Sequence, residues 1–365
     1  MKVLIDLTSL ADNFSGIERY AASLAFEMIK DEETQFILVF KAAVHEIFKE
    51  NVNKNNVEVV VLNSCSKLAF NQIRLPNAIR RIKADYYLFL AFPVPIFLFK
   101  KNMISTIHDI CCWDCPETMK GMSKWYFRVS HKVALLKCTR IITISEFSRQ
   151  RIVKRLCYPQ NKIWLIQCGI DSKFLNFHKQ KDKTKCISNK YKLPDSYILS
   201  LSTLEPRKNL NLLIRAYSEL LKEGKIHLPL VLAGRVGWKM EKLITSIDEF
   251  TRKHIFFTGF VDDEDLPYLY GNAKLFVFPS KYEGFGIPPL EAAACGTLVL
   301  SSDSTSLPEV LGDNATFFRN NDCENLKYRI IDCICNCNKT EFINKYQWKA
   351  EAFSLLQKMK ECYEN

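Results

Sequence analysis

Strand-like apolar runs alternate with helix-patterned stretches along nearly all of this 365-residue chain, and the alternation occurs twice. The first series runs "KVLIDL", "GIERYAASLAFEMIK", "QFILVF", "VEVVVL", "ADYYLFLA", "MISTIHD", "RIITIS" and "KIWLIQCGID". The second runs "YILSLST", "NLNLLIRAYSELL", "LPLVLAG", "KMEKLITSIDEFTRK", "IFFTGFV", "DEDLPYLYGNA", "KLFVFP" and "TLVLSS". Strands separated by helices pair in parallel with helices on both faces, which predicts an α/β chain of two doubly wound, Rossmann-like domains. The polar, lysine-rich stretch from 173 onward separates the two series. The expected division is therefore a first domain over 1–172, a linker over 173–192, a second domain over 193–345 and a final helix over 346–365. At about 150 residues per domain, the length agrees with two. Each sheet offers a ligand crevice at the carboxyl ends of its strands, and a cleft between the domains is the expected active site.

Composition removes several classes. Hydrophobic residues make up 48% and charged residues 25%, so disorder is not the default. The opening "MKVLIDLTSLADN" meets an acid at Asp6 and reads as a strand rather than a signal peptide. The most apolar window, 86–99, is too short to span a bilayer and holds two prolines. The 14 cysteines are expected to stay reduced in a cytosolic setting, and with a single C-x-x-C in "CCWDC" no metal site is expected. Residues 1–180 hold 26 Lys and Arg against 16 Asp and Glu, a surplus of 10 of the total +11. A surplus confined to one half suits an anionic membrane surface or a phosphate-bearing substrate, although a merely solvated basic face remains open. No zinc finger or RNA-binding motif accompanies it, so nucleic acid is not an expected partner.

Chemistry concentrates in "EGFGIPPLE" at 283–291, directly after the strand-like "KLFVFPS". Gly284 and Gly286 let backbone pass close to a ligand, and Pro288 and Pro289 suit a first helical turn, which needs no donors there. A strand, a glycine loop and a helix start together form a common ligand crevice, though an ordinary turn with surface glutamates has the same pattern. Arg207 and Lys208 in "STLEPRKNLNLL" follow another strand at a helix start, where two cations suit a diphosphate. Taken alone, such a pair is also ordinary surface. Gly16 in "SGIERY" opens the first helix and would allow a backbone contact with phosphate, but no G-x-G-x-x-G surrounds it. His108 in "ISTIHD" ends a strand, where it could bond a sugar hydroxyl, manage a proton, or simply bond backbone.

The combination resembles the family-four retaining glycosyltransferases of the GT-B fold. The resemblance covers nearly the whole chain and is densest from 259 to 318, with "LEPRKNL", "LAGRVGW", "IITISEFS" and "TIHD" matching as well. It implies that Glu283 faces the donor sugar and Glu291, eight positions on, holds the ribose of a nucleotide. Phe285, Gly286 and the following Ile287 would contact sugar or diphosphate. Arg207 and Lys208 match the diphosphate cations, Gly16 the glycine loop of the acceptor-side domain and His108 a histidine near the transferred sugar. Val261 matches a position that meets the base, Gly234 falls in a matching donor-side motif, and the last helix resembles one that crosses back to the N-terminal domain. "IQCGID" departs from the family's usual hinge turn, and "CCWDCPE" is unusually rich in cysteine for its loop.

The expectation is a hexosyltransferase that uses a nucleoside diphosphate sugar as co-substrate and needs neither cofactor nor metal. Mannose from GDP-mannose is the first reading; a UDP-sugar, or a non-catalytic nucleotide-sugar-binding relative, is the alternative. An oligosaccharide or lipid-linked acceptor of surface polysaccharide synthesis is expected, with the protein cytoplasmic and in peripheral contact with an anionic inner membrane face. A D-x-D metal motif occurs formally in "VDDED" at 261–265, but acids that open a helix are expected to serve capping instead.

Overall fold

In the computed structural model, which describes residues 1–11, 15–63, 69–178, 180–235, 237, 244–336 and 341–364, both series fold as parallel sheets. The first sheet contains Lys2–Asp6 (β1), Gln35–Lys41 (β2), Val57–Leu62 (β3), Tyr86–Phe89 (β4), Met103–Thr106 (β5), Arg140–Thr143 (β6) and Ile163–Leu165 (β7). Its order is β3-β2-β1-β4-β5-β6-β7, parallel throughout. The second contains Ile198–Leu201 (β8), Leu230–Ala233 (β9), Ile255–Gly259 (β10), Leu275–Phe278 (β11), Leu298–Ser302 (β12) and Thr316–Phe318 (β13). Its order is β10-β9-β8-β11-β12-β13, again parallel. β4, β9 and β11 are apolar and buried at every position, as strands covered on both faces must be.

The winding direction reverses between β1 and β4 and between β8 and β11. Chains leaving two strands at such a point diverge to opposite faces, so a crevice opens at their carboxyl ends. Helix Leu210–Lys222 shows how one face is filled. It buries Leu210, Leu213, Ile214, Tyr217, Leu220 and Leu221, a three-and-four spacing that packs onto Ile198, Leu230 and Leu232.

The chain divides into two compact units, Met1–Gly169 with Tyr346–Asn365, and Ile170–Lys345. The last helix, Trp348–Glu364, thus belongs to the first unit. Gly169 admits it: a Cβ there would stand 2.3 Å from the Trp348 nitrogen. The Gln167 N–H donates to Glu351 at 2.8 Å, and Lys360 pairs with Asp31 at 3.0 Å. No helix among the described residues is long and apolar enough to cross a membrane.

Some expectations change. The stretch expected as a linker over 173–192 contains helix Lys181–Tyr191 and lies in the second unit. That helix is polar nearly all round and buries Ile187 alone, so its sequence carries almost no period. β13 was not expected, being only three residues long. Helices Gly121–Lys137 and Cys323–Cys335 were likewise not expected. The helix expected over 239–253 lies partly outside the described residues, as does part of "LAGRVGW".

Candidate active site

All the donor-side candidates of the second unit follow strands of one parallel sheet and so leave it at the same edge. After β8 the chain makes a short turn, Pro206–Lys208, which presents Arg207 and Lys208 immediately before helix Leu210–Lys222. Asn209 between them takes a left-handed conformation at φ 54°, which asparagine tolerates better than most residues. After the neighbouring β11, Pro279 ends the strand and Glu283 turns back toward these cations.

Glu283, only 6% exposed, is held by three donors. Lys208 Nζ donates to Oε1 at 2.6 Å, Ser280 Oγ to the same oxygen at 2.5 Å, and Arg207 Nη1 to Oε2 at 3.1 Å. Burial pushes the carboxyl up, but the Lys208 and Arg207 charges with the Lys208 and Ser280 hydrogen bonds outweigh it and leave the group below the usual glutamate value. Glu283 is therefore an ionised acceptor and has no proton to give. Burial and the neighbouring Arg207 push the Lys208 ammonium down, against the pull of Glu283. Arg207 also donates from Nη1 to the Tyr282 carbonyl at 2.9 Å and from Nε and Nη2 to Glu205. The turn is pinned from behind by the Lys281 N–H, which donates to the Arg207 carbonyl at 2.9 Å. The Glu283 N–H donates to Thr305 Oγ1 at 3.0 Å, and Thr305 takes φ 54°, a costly conformation for a β-branched residue.

Gly286 lies at φ 101°, and a Cβ there would meet Leu307 Cδ2 at 2.5 Å. Glycine is thus required by conformation, and the space beside it is taken by the Leu307 methyl. Helix Ile287–Ala294 starts at once with Pro288 and Pro289, which have no N–H, so Gly286 and Ile287 carry the backbone donors at its mouth. Phe285 is buried, and its carbonyl accepts from Ser306 Oγ at 3.2 Å. Glu291 lies further along the same helix, 4% exposed, with the Tyr270 hydroxyl donating to its Oε2 at 2.9 Å. Val261 is buried just past β10. Gly234, past β9 at φ 124°, is there for close packing: a Cβ would stand 1.9 Å from the Ser202 carbonyl oxygen.

Gly16 and His108 belong to the first unit. Nothing described lies within 4 Å of a Cβ at Gly16, and the helix it opens is capped by Ser15, whose N–H donates to Glu18 at 2.7 Å. His108 Nε2 lies 3.0 Å from the Leu90 carbonyl and so must carry the hydrogen. Burial pushes the ring to about 4 despite the opposing Asp109 charge. The expected proton management near neutral pH is therefore corrected: His108 is a neutral ring with Nδ1 as acceptor. The acids of "VDDED" are corrected too, because no side chain caps helix Leu266–Asn272. Asp262 and Asp265 instead pair with Lys190, and Asp263 and Glu264 with Lys173. Among the described residues no three His, Cys, Asp or Glu side chains converge as a metal ion would require. The described cysteines are free thiols, and burial drives those of Cys112 and Cys138 up to about 12.

Ser280, Tyr270, Glu205 and Thr305 were not expected at the site. Ser280 and Tyr270 fall inside stretches recognised as elements, "KLFVFPS" and "DEDLPYLYGNA", but serine and tyrosine there carry no signal of their own.

Two families match. Residues 14–174 match the family described as Glycosyltransferase Family 4, and residues 180–349 that described as Glycosyl transferases group 1. The chain is 31% identical over 351 residues to O-antigen chain mannosyltransferase B of Escherichia coli, covering 92% of this chain and 91% of that protein. It is 38% identical over 190 residues to the serotype-specific mannosyltransferase WbdA of Escherichia coli, which is 51% of this chain but only 23% of that protein. Sucrose-phosphate synthase from Thermosynechococcus elongatus shares the fold at a TM-score of 0.75 and 16% identity, over 100% of this chain and 98% of that one. A glycosyltransferase from Rickettsia africae does so at 0.69 and 17%, over 100% and 99%.

Proposed function

The chain belongs to the family-four glycosyltransferases with a group 1 domain, and on that premise we propose that it is a retaining, metal-independent hexosyltransferase of surface polysaccharide synthesis. It takes mannose from GDP-mannose and passes it to an oligosaccharide or lipid-linked acceptor. The observation that carries the chemistry is the buried cluster of Arg207, Lys208 and Glu283 at the reversal point of the second sheet. The choice of mannose rests on a relative, 31% identical over nearly the whole chain, that is named an O-antigen chain mannosyltransferase.

In this reading the donor diphosphate brings to Arg207 and Lys208 the negative charge that Glu283 supplies without it. As the sugar C1–O bond breaks, its electron pair moves to the diphosphate, and the two cations offset that growing charge. The acceptor hydroxyl attacks C1 on the same face and yields its proton to the departing phosphate, since the lowered proton affinities of Glu283 and His108 make both weak bases. Glu283 accepts from a sugar hydroxyl, and Glu291, oriented by Tyr270, accepts from the ribose. Metal independence is supported by the engagement of the "VDDED" acids with Lys173 and Lys190.

The test is nucleoside diphosphate release from GDP-mannose and a set of UDP-sugars, with membrane extract as acceptor, with and without EDTA. Release from GDP-mannose alone, unchanged by EDTA, is expected. Release from a UDP-sugar would replace the donor, and loss with EDTA would end metal independence. Binding of a nucleotide sugar with no transfer to any acceptor would favour a non-catalytic relative.

A further inference from the structure

We propose that the outward face of helix Gly121–Lys137, with the adjoining Pro95–Phe99 loop, docks on an anionic lipid surface. A helix packed on a sheet turns its apolar side inward and its polar side to water. This one buries Ser130, His131 and Ala134, yet shows Met122, Trp125 and Leu136 to solvent at 88%, 70% and 85% exposure. With the partly buried Val129 these residues follow a three-and-four spacing, so they form one stripe of about 21 Å opposite the core side. The loop extends it. Lys137 donates to the Leu98 carbonyl at 3.3 Å and lies 3.5 Å from the centre of the Phe99 ring, beside Leu136, while Phe97 and Phe99 are themselves exposed.

Charge decides what covers this stripe. The helix carries Lys124, Arg128, Lys132 and Lys137 and no acid, and the stretches 86–108 and 118–145 contain no Asp or Glu at all. Arg128 and Lys132 are braced against the Trp113 ring at 4.9 and 5.5 Å, which fixes them along the flank. A second copy of the chain would set these cations against their own kind. An anionic bilayer supplies the opposite charge and an apolar interior for tryptophan, methionine and leucine, the arrangement of a helix lying in an interface. The apolar window 86–99 contributes only in part, because Leu90, Val94 and Leu98 are core residues. The proposal deepens the lipid-linked acceptor of the reading above and rests on that reading only for its use, since the surface stands on exposure and charge.

Flotation of the full chain with phosphatidylcholine vesicles, with and without about 30% phosphatidylglycerol, tests it. Binding is expected only to the anionic vesicles and should weaken as salt shortens the screening length. The pairs Trp125→Ser with Leu136→Ser, and Lys124→Glu with Lys132→Glu, should each lower partitioning by about tenfold or more. Trp125, Lys132 and Leu136 are exposed and Lys124 is half-buried on the flank, and turnover of a water-soluble acceptor without vesicles should be unchanged. Wild-type binding by both double variants, no binding at low salt, or a self-association in sedimentation that Trp125→Ser abolishes would overturn the proposal. Failure to bind with transfer intact would sink the surface and leave the enzyme; binding without transfer from any donor would do the reverse.

Discussion

Glu283 gathers most of the local energetics into one carboxylate. Its buried charge is tolerable only because Lys208, Arg207 and Ser280 all donate to it. Lys208→Met should therefore cost about 2 kcal/mol, less than the ~3–5 kcal/mol of a fully orphaned charge, because two donors remain. Urea unfolding of the variant measures this. The same change should lower kcat by about 10²–10³ with a smaller effect on KM for the donor, the pattern of lost leaving-group stabilisation. A rise in KM at unchanged kcat would assign Lys208 to ground-state binding. Both glutamates and both cations were legible in the sequence only in combination: each motif alone also reads as an ordinary turn or surface, and it is their joint resemblance to a glycosyltransferase pattern that gave them roles. Their partners were not. Ser280 and Tyr270 acquire meaning only when β11 and helix Leu266–Asn272 bring a hydroxyl against a buried carboxylate.

Strands and the helices between them were mostly legible where one face is apolar, as in Leu210–Lys222, and illegible where that contrast fails; Cys323–Cys335, which buries Leu326, Ile330 and Cys333 on one face, is the exception that was missed. Lys181–Tyr191 is too polar to show a period, and Gly121–Lys137 has apolar residues on both its core side and its outward side. Glycines show a similar divide: sequence grouped Gly16 and Gly234 as ligand contacts, but their surroundings separate them. Gly234→Ala would combine a positive φ with a Cβ 1.9 Å from a backbone oxygen, forcing the ends of β8 and β9 apart. A loss above about 3 kcal/mol is expected in denaturant unfolding. Gly16→Ala meets nothing described within 4 Å and should leave stability unchanged or raise it by about 0.5 kcal/mol. Any loss of transfer in a fully folded Gly16→Ala chain then reports on a ligand, and normal kinetics would remove Gly16 from the site.

At the scale of the whole molecule, acid should act on the two units unequally. His108 and His131 both lie in the first unit, and burial holds each ring near 4, below the ordinary 6.5, although the Asp109 charge pulls the other way. His131 is 6% exposed, and its Nδ1 lies 3.7 Å from the thiol of Cys112. A histidine with a depressed folded value costs nothing at pH 8. Below about pH 6.5 the unfolded chain binds protons the folded one refuses, so stability falls with pH until the folded ring also titrates near 4. For His131 this amounts to about 2 kcal/mol at pH 5. In the second unit the Glu283 carboxyl lies below the ordinary value and stays ionised at that pH. Hydrogen exchange at pH 7 and pH 5, corrected for intrinsic rates, should therefore show β4–β6 opening more readily in acid while β8–β12 hold. His131→Gln removes one titrating group and should narrow that difference, which the raised Asp6 and Glu351 carboxyls of the same unit partly offset by taking up protons more readily in the folded chain. Equal loosening of both units, or a His131→Gln chain as acid-sensitive as the parent, would mean that the ring is charged in the folded state and that burial does not set its proton affinity.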